Sequence, residues 1–253
     1  MSAREVYINR VIPELQNVIK MQSWVICQDL FRQLHGQVNL SYVRLNQVVV
    51  PQLNIDARYT QTDFNILDIP VERFAIQAGA EKFIPELRAT LLLESQYSKS
   101  YYFNFINDKH LRKNTIYVFE SSIKISKNLP KNMKVIYDVK FIQNDILSSS
   151  TSRQGFGQLS GSFQVLWQKS KIGFARLHAE RFRPQLSSSY SLLFLDAEIL
   201  YKPAGKKYSC SIVGKNLLNH QYLKQMQISD YGSAEMMTRL LPGYLMLEWS
   251  YRF

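Results

Sequence analysis

The chain has 253 residues, of which 46% are apolar, 20% are charged and 13% are aromatic. This composition excludes a disordered or fibrous chain, and the length allows a sizeable buried core. The 31 Lys and Arg residues against 20 Asp and Glu residues give a formal net charge of +11, which leaves open a binder of nucleic acid or of another anionic surface.

The first 35 residues are ambiguous between a lead-in strand and a helix. Residues 1–10 lack the basic start, the apolar stretch and the small-residue cleavage site of a secretory signal. Within the remainder, residues 18–27 favour one more strand. No apolar run in the chain approaches the about 20 residues that a transmembrane helix needs, so no membrane-spanning helix is expected.

From residue 36 onward, apolar and polar residues alternate with period two, which predicts strands that have one apolar face. About eleven such strands, longer than the about 5 to 6 residues usual in soluble sheets, match the about 9 to 11 residues that a tilted strand needs to cross a bilayer. In chain order, the predicted strands are residues 37–45, 53–60, 73–82, 87–97, 117–126, 133–141, 159–168, 172–182, 193–201, 208–215 and 243–253.

The connections between these strands alternate in length. Short connections are predicted at 83–86, 127–132, 169–171 and 203–207, and long ones at 61–72, 98–114, 144–157, 183–191 and 216–242. An up-and-down barrel with turns at one rim and loops at the other has this order, whereas a Greek-key sandwich has no reason to keep it. Residues 1–253 are therefore predicted to be a single segment of an all-β, antiparallel, up-and-down transmembrane barrel.

The polar side of the strands is predicted to face the barrel lumen. A closed sheet of about eleven or more strands encloses a space too wide for side chains to fill, so a polar interior and an apolar exterior are expected. Tyrosines near strand ends, such as Tyr97, Tyr117 and Tyr201, fit belts at the bilayer interface. The candidate lumen-facing polar residues are Arg176, His178, Glu180, Asp196, Glu198, Glu248 and Arg252.

The last third of the chain carries three short signals in a fixed order. Asn216, Leu217 and Asn219 are followed by the aromatic Tyr222; Pro242 and Gly243 come next; and a final strand places Leu247, Trp249, Tyr251 and Phe253 on one face. This order resembles the last strands of TonB-dependent outer-membrane receptors, over about residues 192–253. One departure is Tyr244, because that family commonly has Arg after Pro-Gly.

The resemblance implies a function in transport. In that family, a barrel of about 22 strands encloses an N-terminal plug, and ligand uptake is driven by a TonB-type energy-transducing protein that acts through the plug. The ligand would be a nutrient of the siderophore, vitamin or glycan type. The terminal aromatic faces outer-membrane lipid and is recognised by the barrel-assembly machinery, which assigns Leu247, Trp249, Tyr251 and Phe253 to that role.

This chain has about eleven or twelve predicted strands and no plug, so it resembles the C-terminal half of such a receptor. We expect it in the bacterial outer membrane, as a fragment whose missing N-terminal barrel half and plug are its partners, which also accounts for the lack of a signal peptide. An open half-barrel would leave edge strands unpaired in lipid. A truncated gene or a second chain is therefore implied.

No enzyme chemistry is predicted. His35, His110 and His220 lie in predicted loops without a second metal ligand, and the serine runs lack the Gly-flanked turn of a nucleophile. We expect no catalytic residue, no cofactor, no metal and no nucleic-acid partner. Two alternatives stay open: a stand-alone outer-membrane pore or surface-enzyme barrel, and a soluble basic β protein that binds nucleic acid or acidic glycan.

Overall fold

A computed structural model describes residues 4–7, 18–55, 59–107, 110–149, 153–169, 172–203, 205–229 and 232–252. These residues form sixteen strands and a single 3-10 turn, Pro85–Leu87, which confirms the predicted all-β class. The strands are β1 Arg4–Tyr7, β2 Val18–Asp29, β3 Leu34–Leu45, β4 Val48–Ile55, β5 Tyr59–Leu67, β6 Val71–Ile84, β7 Ala89–Ile106, β8 Arg112–Leu129, β9 Met133–Ser148, β10 Gln154–Lys169, β11 Gly173–Arg183, β12 Leu192–Tyr201, β13 Tyr208–Lys215, β14 Tyr222–Ser229, β15 Gly232–Arg239 and β16 Tyr244–Tyr251.

Eleven strands of the main sheet are antiparallel and up-and-down, as predicted, whereas two pairings outside that path, β1 with β5 and β4 with β7, are parallel. Of its fourteen strands, β1, β4 and β5 form a side branch on β7, and the other eleven follow the order β2-β3-β6-β7-β8-β9-β10-β11-β12-β13-β16. The separate hairpin of β14 and β15 lies between β13 and β16 in the chain. Within the described residues, β2 and β16 are the two ends of this eleven-strand path and do not pair with each other. Closure into a barrel and a total of 22 strands therefore stay predictions.

The predicted alternation of short and long connections is confirmed only in part. Strands are joined at one rim by residues 30–33, 85–88, 130–132, 170–172 and 202–207, and at the second or loop-bearing rim by 46–70, 107–111, 149–153, 184–191 and 216–243. The connections 107–111 and 149–153, at the loop-bearing rim, have five residues each, whereas 202–207, at the first rim, has six. The strands run further into this second rim than predicted, because polar residues there pair with one another. Asn114 Nδ2, for example, donates to Asn104 Oδ1 at 3.0 Å, and both residues are buried.

The predicted strand at residues 53–60 is wrong. The structure divides this segment between β4 and β5, which pair as an antiparallel hairpin with Ile55 opposite Thr60. No Gly or Pro lies between Ile55 and Thr60 in the sequence, so the apolar alternation continues from one strand to the next without a visible break. The predicted long connections at 61–72 and 216–242 likewise contain strand: most of β5 in the first, and β14 and β15 in the second.

Strand register gathers the alternating residues into two faces of the sheet. Leu93, Ile123 and Val139 are successive neighbours across β7, β8 and β9, and the next positions, Glu94, Ser122 and Lys140, are neighbours on the opposite side. The apolar face carries, among others, Val38, Ile76, Leu93, Ile123, Val139, Phe163, Leu177, Leu195, Ile212 and Leu247. The polar face carries Gln77, Glu94, Glu120, Asp138, Gln164, Arg176, Asp196, Ser211 and Glu248.

The apolar face has no covering layer within the described residues. In the described part of the chain only four apolar residues are buried, namely Val50, Ala89, Phe103 and Leu192, and of these Val50 lies in the side branch and Leu192 on the polar face. By contrast, Leu177 is 44% exposed and Ile199 is 56% exposed, although both lie on strands with neighbours at each side. Burial of such a side chain is worth about 1.5 to 3 kcal/mol, so a face of this extent indicates contact with an apolar phase or partner.

Candidate functional site

The polar face contains a network of charged side chains on β11, β12 and β13. Arg176 lies opposite Glu198 in register, and its Nη2 forms an ion pair with Glu198 Oε2. His178 lies opposite Asp196, and its Nε2 is 3.8 Å from Glu180 Oε2. The sequence-predicted residues Arg176, His178, Glu180, Asp196 and Glu198 are therefore brought together on one face.

A lysine that the sequence analysis missed completes this network. Lys215 Nζ donates to Asp196 Oδ2 at 2.7 Å, and Asp196 Oδ1 accepts the backbone N–H of Asn216 at 2.9 Å. A cavity of about 160 Å³ lies among these side chains. Lys215 lies on the same side of β13 as Ser211 and Val213, which strand alternation alone predicts. Its contact with Asp196 depends on how β12 and β13 pair, which the sequence does not reveal.

A second polar cluster lies on β6 to β9, on the same face. Its cavity of about 330 Å³ is lined by Glu94, Glu120 and Asp138 together with Lys140 and several amide and hydroxyl groups. Lys140 Nζ is 3.2 Å from Glu120 Oε2. Carboxylates thus outnumber cations around this cavity, whereas the β11–β13 network is closely balanced.

A mostly apolar pocket, larger than the two charged cavities, lies at the loop-bearing rim of the polar face. Its volume is about 670 Å³. Strands β8 to β11 supply its floor, and the β14–β15 hairpin contributes two methionines. Three amide side chains give it hydrogen-bonding groups. The lining residues are Ile116, Asn144, Ile146, Phe156, Gln158, Phe182, Pro184, Gln225, Met226 and Met236. Sequence periodicity gave no signal for this pocket, because its walls come from separate elements.

The Asn-Leu-x-Asn segment holds the base of that hairpin. Asn216 Nδ2 donates to the carbonyl oxygens of His220 and Leu241 at 2.8 and 2.9 Å, and its Oδ1 accepts the His220 N–H at 3.0 Å. Asn216 and Asn219 have positive φ angles of 47° and 56°, a conformation that Asn tolerates better than most residues. Asparagine thus supplies both the turn geometry and the bonds.

The remaining motif residues lie around this asparagine pair. Leu217 N–H donates to the Leu195 carbonyl oxygen at 2.8 Å, and Tyr222, the first residue of β14, accepts the Tyr190 hydroxyl at its carbonyl oxygen at 3.2 Å. Pro242 and Gly243 directly precede β16. A Cβ on Gly243 would lie 2.4 Å from the Asn216 carbonyl oxygen, so this close approach requires glycine.

The last strand, β16, places its residues on both faces of the sheet. Leu247, Trp249 and Tyr251 lie on the apolar face, where the rings of Trp249 and Tyr208 stack with centroids 5.4 Å apart. Glu248 lies on the polar face and accepts the Ser211 hydroxyl at 3.4 Å. Arg252 follows the strand, and its N–H donates to the Lys207 carbonyl oxygen at 2.7 Å. Phe253 lies outside the described residues.

No helix in the described part of the chain is long and apolar enough to cross a membrane. Among the same residues, no three His, Cys, Asp or Glu side chains are grouped to hold a metal ion. The chain matches no known protein family, no curated protein and no solved structure.

Proposed function

We propose that this chain is the C-terminal barrel segment of an outer-membrane TonB-dependent receptor for energy-coupled uptake of a nutrient ligand. One observation carries the proposal: an eleven-stranded up-and-down sheet with one exposed apolar face and one charged face. A soluble sheet buries its apolar face against a second layer. In an outer-membrane barrel, the apolar face contacts lipid and the polar face lines an aqueous interior.

Strand length is consistent with a crossing of the bilayer. The strands β7 and β8 each have 18 residues, and β9 and β10 each have 16, compared with the about 9 to 11 residues that the hydrocarbon layer requires. The surplus residues extend beyond the membrane at the rim that carries the long connections. Bacterial barrels place their longer loops outside the cell and their short turns in the periplasm.

The directions of the two terminal strands, β2 and β16, indicate that further strands are needed to close an antiparallel barrel. Each of the eleven strands reverses the direction of its neighbour, so β2 and β16, the first and the last, run in the same direction. Direct pairing of these two strands would be parallel, which an all-antiparallel barrel excludes. An odd number of additional strands restores alternation, and an N-terminal half that completes a barrel of about 22 strands satisfies this condition. This parity favours the receptor over a stand-alone barrel of the same eleven strands.

The pocket at the loop-bearing rim is the part of this segment that contacts the nutrient ligand. Its apolar walls and amide groups suit an uncharged or amphipathic portion of that ligand. The plug, contributed by the N-terminal part of the receptor, fills the interior beside the charged clusters and receives the TonB-type protein. Trp249, Tyr251 and Phe253 contact lipid and assist recognition by the barrel-assembly machinery. The segment itself catalyses no reaction.

Fractionation of the native envelope tests the proposal. Membranes are separated on a density gradient and washed with urea, and the chain is followed by immunoblotting. We expect it in the outer-membrane fraction, resistant to urea and released only by detergent. A monodisperse protein in aqueous buffer without detergent would overturn the proposal and favour the soluble basic β protein.

A further inference from the structure

We propose that a cavity in the apolar face binds one lipid with an anionic phosphate headgroup, with an acyl chain in the cavity and the phosphate on Arg181 and Arg183. This inference rests on the proposed membrane location. The site lies on the side of the sheet opposite the charged clusters and the rim pocket, so it is separate from the nutrient site.

The cavity is a gap in the outer surface of β9, β10, β11 and β12. It has a volume of about 390 Å³, and its apolar lining includes Tyr137, Leu159, Phe163 and Leu193. The gap exists because Gly161 has no side chain between its register neighbours Val139 and Arg181. A Cβ built on Gly161 would meet one atom within 4 Å, the Asp138 carbonyl oxygen at 3.9 Å, so the space above the glycine is open.

Two arginines flank this cavity on the side of the loop-bearing rim. Arg181 lies beside Gly161 and Arg183 lies beside Leu159 on the same face of the sheet. Arg181 Nη2 is 3.5 Å from Ser191 Oγ, and Arg183 Nε donates to the Ser188 carbonyl oxygen at 3.0 Å. Neither guanidinium forms an ion pair with the described part of the chain. Two guanidinium groups without an ion pair to the described residues thus lie beside an apolar cavity.

The chemistry of the cavity and of its border selects the ligand. An apolar cavity accommodates a hydrocarbon chain, and a guanidinium binds phosphate through paired charge-assisted hydrogen bonds. Both requirements are met by one amphipathic anion whose charged end points to the membrane surface. Basic pockets beside membrane-spanning elements bind anionic headgroups in this way. A zwitterionic lipid supplies the chain but no net charge to balance the two arginines.

Native mass spectrometry of the full chain, purified in detergent with any partner that accompanies it, tests the site. The protein is titrated with phosphatidylglycerol and, separately, with phosphatidylcholine of the same acyl chains. We expect tighter binding of phosphatidylglycerol to the unmodified protein. The double variant Arg181→Gln/Arg183→Gln should weaken phosphatidylglycerol binding by about tenfold or more and weaken phosphatidylcholine binding less, because the choline cation already balances the phosphate of that lipid. Lys82→Gln, which removes a charge elsewhere on the apolar face, is the matched control.

A second variant fills the cavity without changing charge. Gly161→Leu should weaken the binding of both lipids, because the leucine occupies the space of the acyl chain. Gly36→Leu adds the same side chain on the same face, where a Cβ would meet only backbone oxygens at 3.8 and 4.0 Å, and should leave binding unchanged.

Equal affinity for the two lipids in the unmodified protein would overturn the lipid site, as would unchanged binding in the double arginine variant or in Gly161→Leu. If those results came from a protein that fractionates with the outer membrane, the proposed function would still stand. If the protein needed no detergent, both proposals would fall.

Discussion

Asn219 Oδ1 accepts a hydrogen bond from the backbone N–H of Gly243 at 3.0 Å. This bond connects the segment that precedes β14 to the segment that precedes β16. The two residues are 24 positions apart in the chain and are brought together by the return of the β14–β15 hairpin. The Asn-Leu-x-Asn and Pro-Gly signals are thus two sides of one structural joint. This joint fixes the hairpin above the pocket at the rim.

Removal of the Asn219 side chain should weaken this joint. Asn219→Ala leaves the Gly243 N–H without its acceptor, so we expect the free energy of unfolding to fall by about 0.5 to 1.5 kcal/mol. Urea unfolding in detergent micelles measures this change. Asn128→Ala, an exposed position near the end of β8, is the control and should have little effect. Equal losses in both variants would contradict a specific role for Asn219.

A methyl group at Gly243 should be more damaging. The Cβ of Gly243→Ala would lie 2.4 Å from the Asn216 carbonyl oxygen, so the backbone must shift, at a cost of about 1 to 3 kcal/mol. The same urea titration measures the loss. Gly161→Ala is the matched control, because its Cβ would have open space around it. A Gly243→Ala protein as stable as the unmodified chain would show that the close approach is not required.

The Arg176–Glu198 pair should show coupling in a double-mutant cycle. Arg176→Gln and Glu198→Gln each leave one charge of a half-buried pair without its partner, whereas the double variant removes both charges. We expect a coupling of about 0.5 to 1 kcal/mol between the two positions in the free energy of unfolding. Strictly additive losses would mean that the pair makes no net contribution on the polar face.

The β14–β15 hairpin should loosen at high pH. Lys224 Nζ lies 2.8 Å from Glu235 Oε1, and this hydrogen bond raises the pKa of Lys224. Because the folded pKa exceeds the unfolded value of about 10.4, the stabilisation is complete below that pH and is lost as pH rises through the raised pKa. Acrylamide quenching of a tryptophan placed at Met226 should increase in this window.

The matched variant Glu235→Gln lacks the carboxylate and should show a much smaller transition, because it removes the hydrogen bond that is the main cause of the raised Lys224 pKa and leaves the weaker effect of Tyr190. An identical rise in quenching with and without Glu235 would refute the link between this pair and hairpin closure.

The strands and the two faces were predictable from sequence, and the contacts between strands were not. Residues 133–141 and 159–168 alternate with period two, and β9 and β10 form there with their apolar residues on one side. Register depends on two strands together, so the contact between Arg176 and Glu198 cannot be predicted from the sequence of either strand alone. Lys215 was missed for the same reason.

The predicted strand ends are wrong where polar side chains at the loop-bearing rim form hydrogen bonds with one another. Asn104 and Asn114 interrupt the apolar alternation, yet they bond to each other and the strands continue. The predicted single strand at residues 53–60 is wrong for the opposite reason, because the alternation continues from β4 into β5 with no Gly or Pro between Ile55 and Thr60. The rim pocket required the folded chain, since four strands and a hairpin build its walls.

Spin labels along β9 test the central claim, that the apolar face lies in lipid and the polar face in water. Single cysteines at successive positions from Val135 to Lys140 are introduced into a Cys27→Ser/Cys210→Ser background, labelled in the membrane-bound protein and examined with oxygen and a water-soluble nickel complex. We predict high oxygen accessibility at Val135, Tyr137 and Val139 and high nickel accessibility at the alternate positions. Equal nickel accessibility at all six positions would contradict the account.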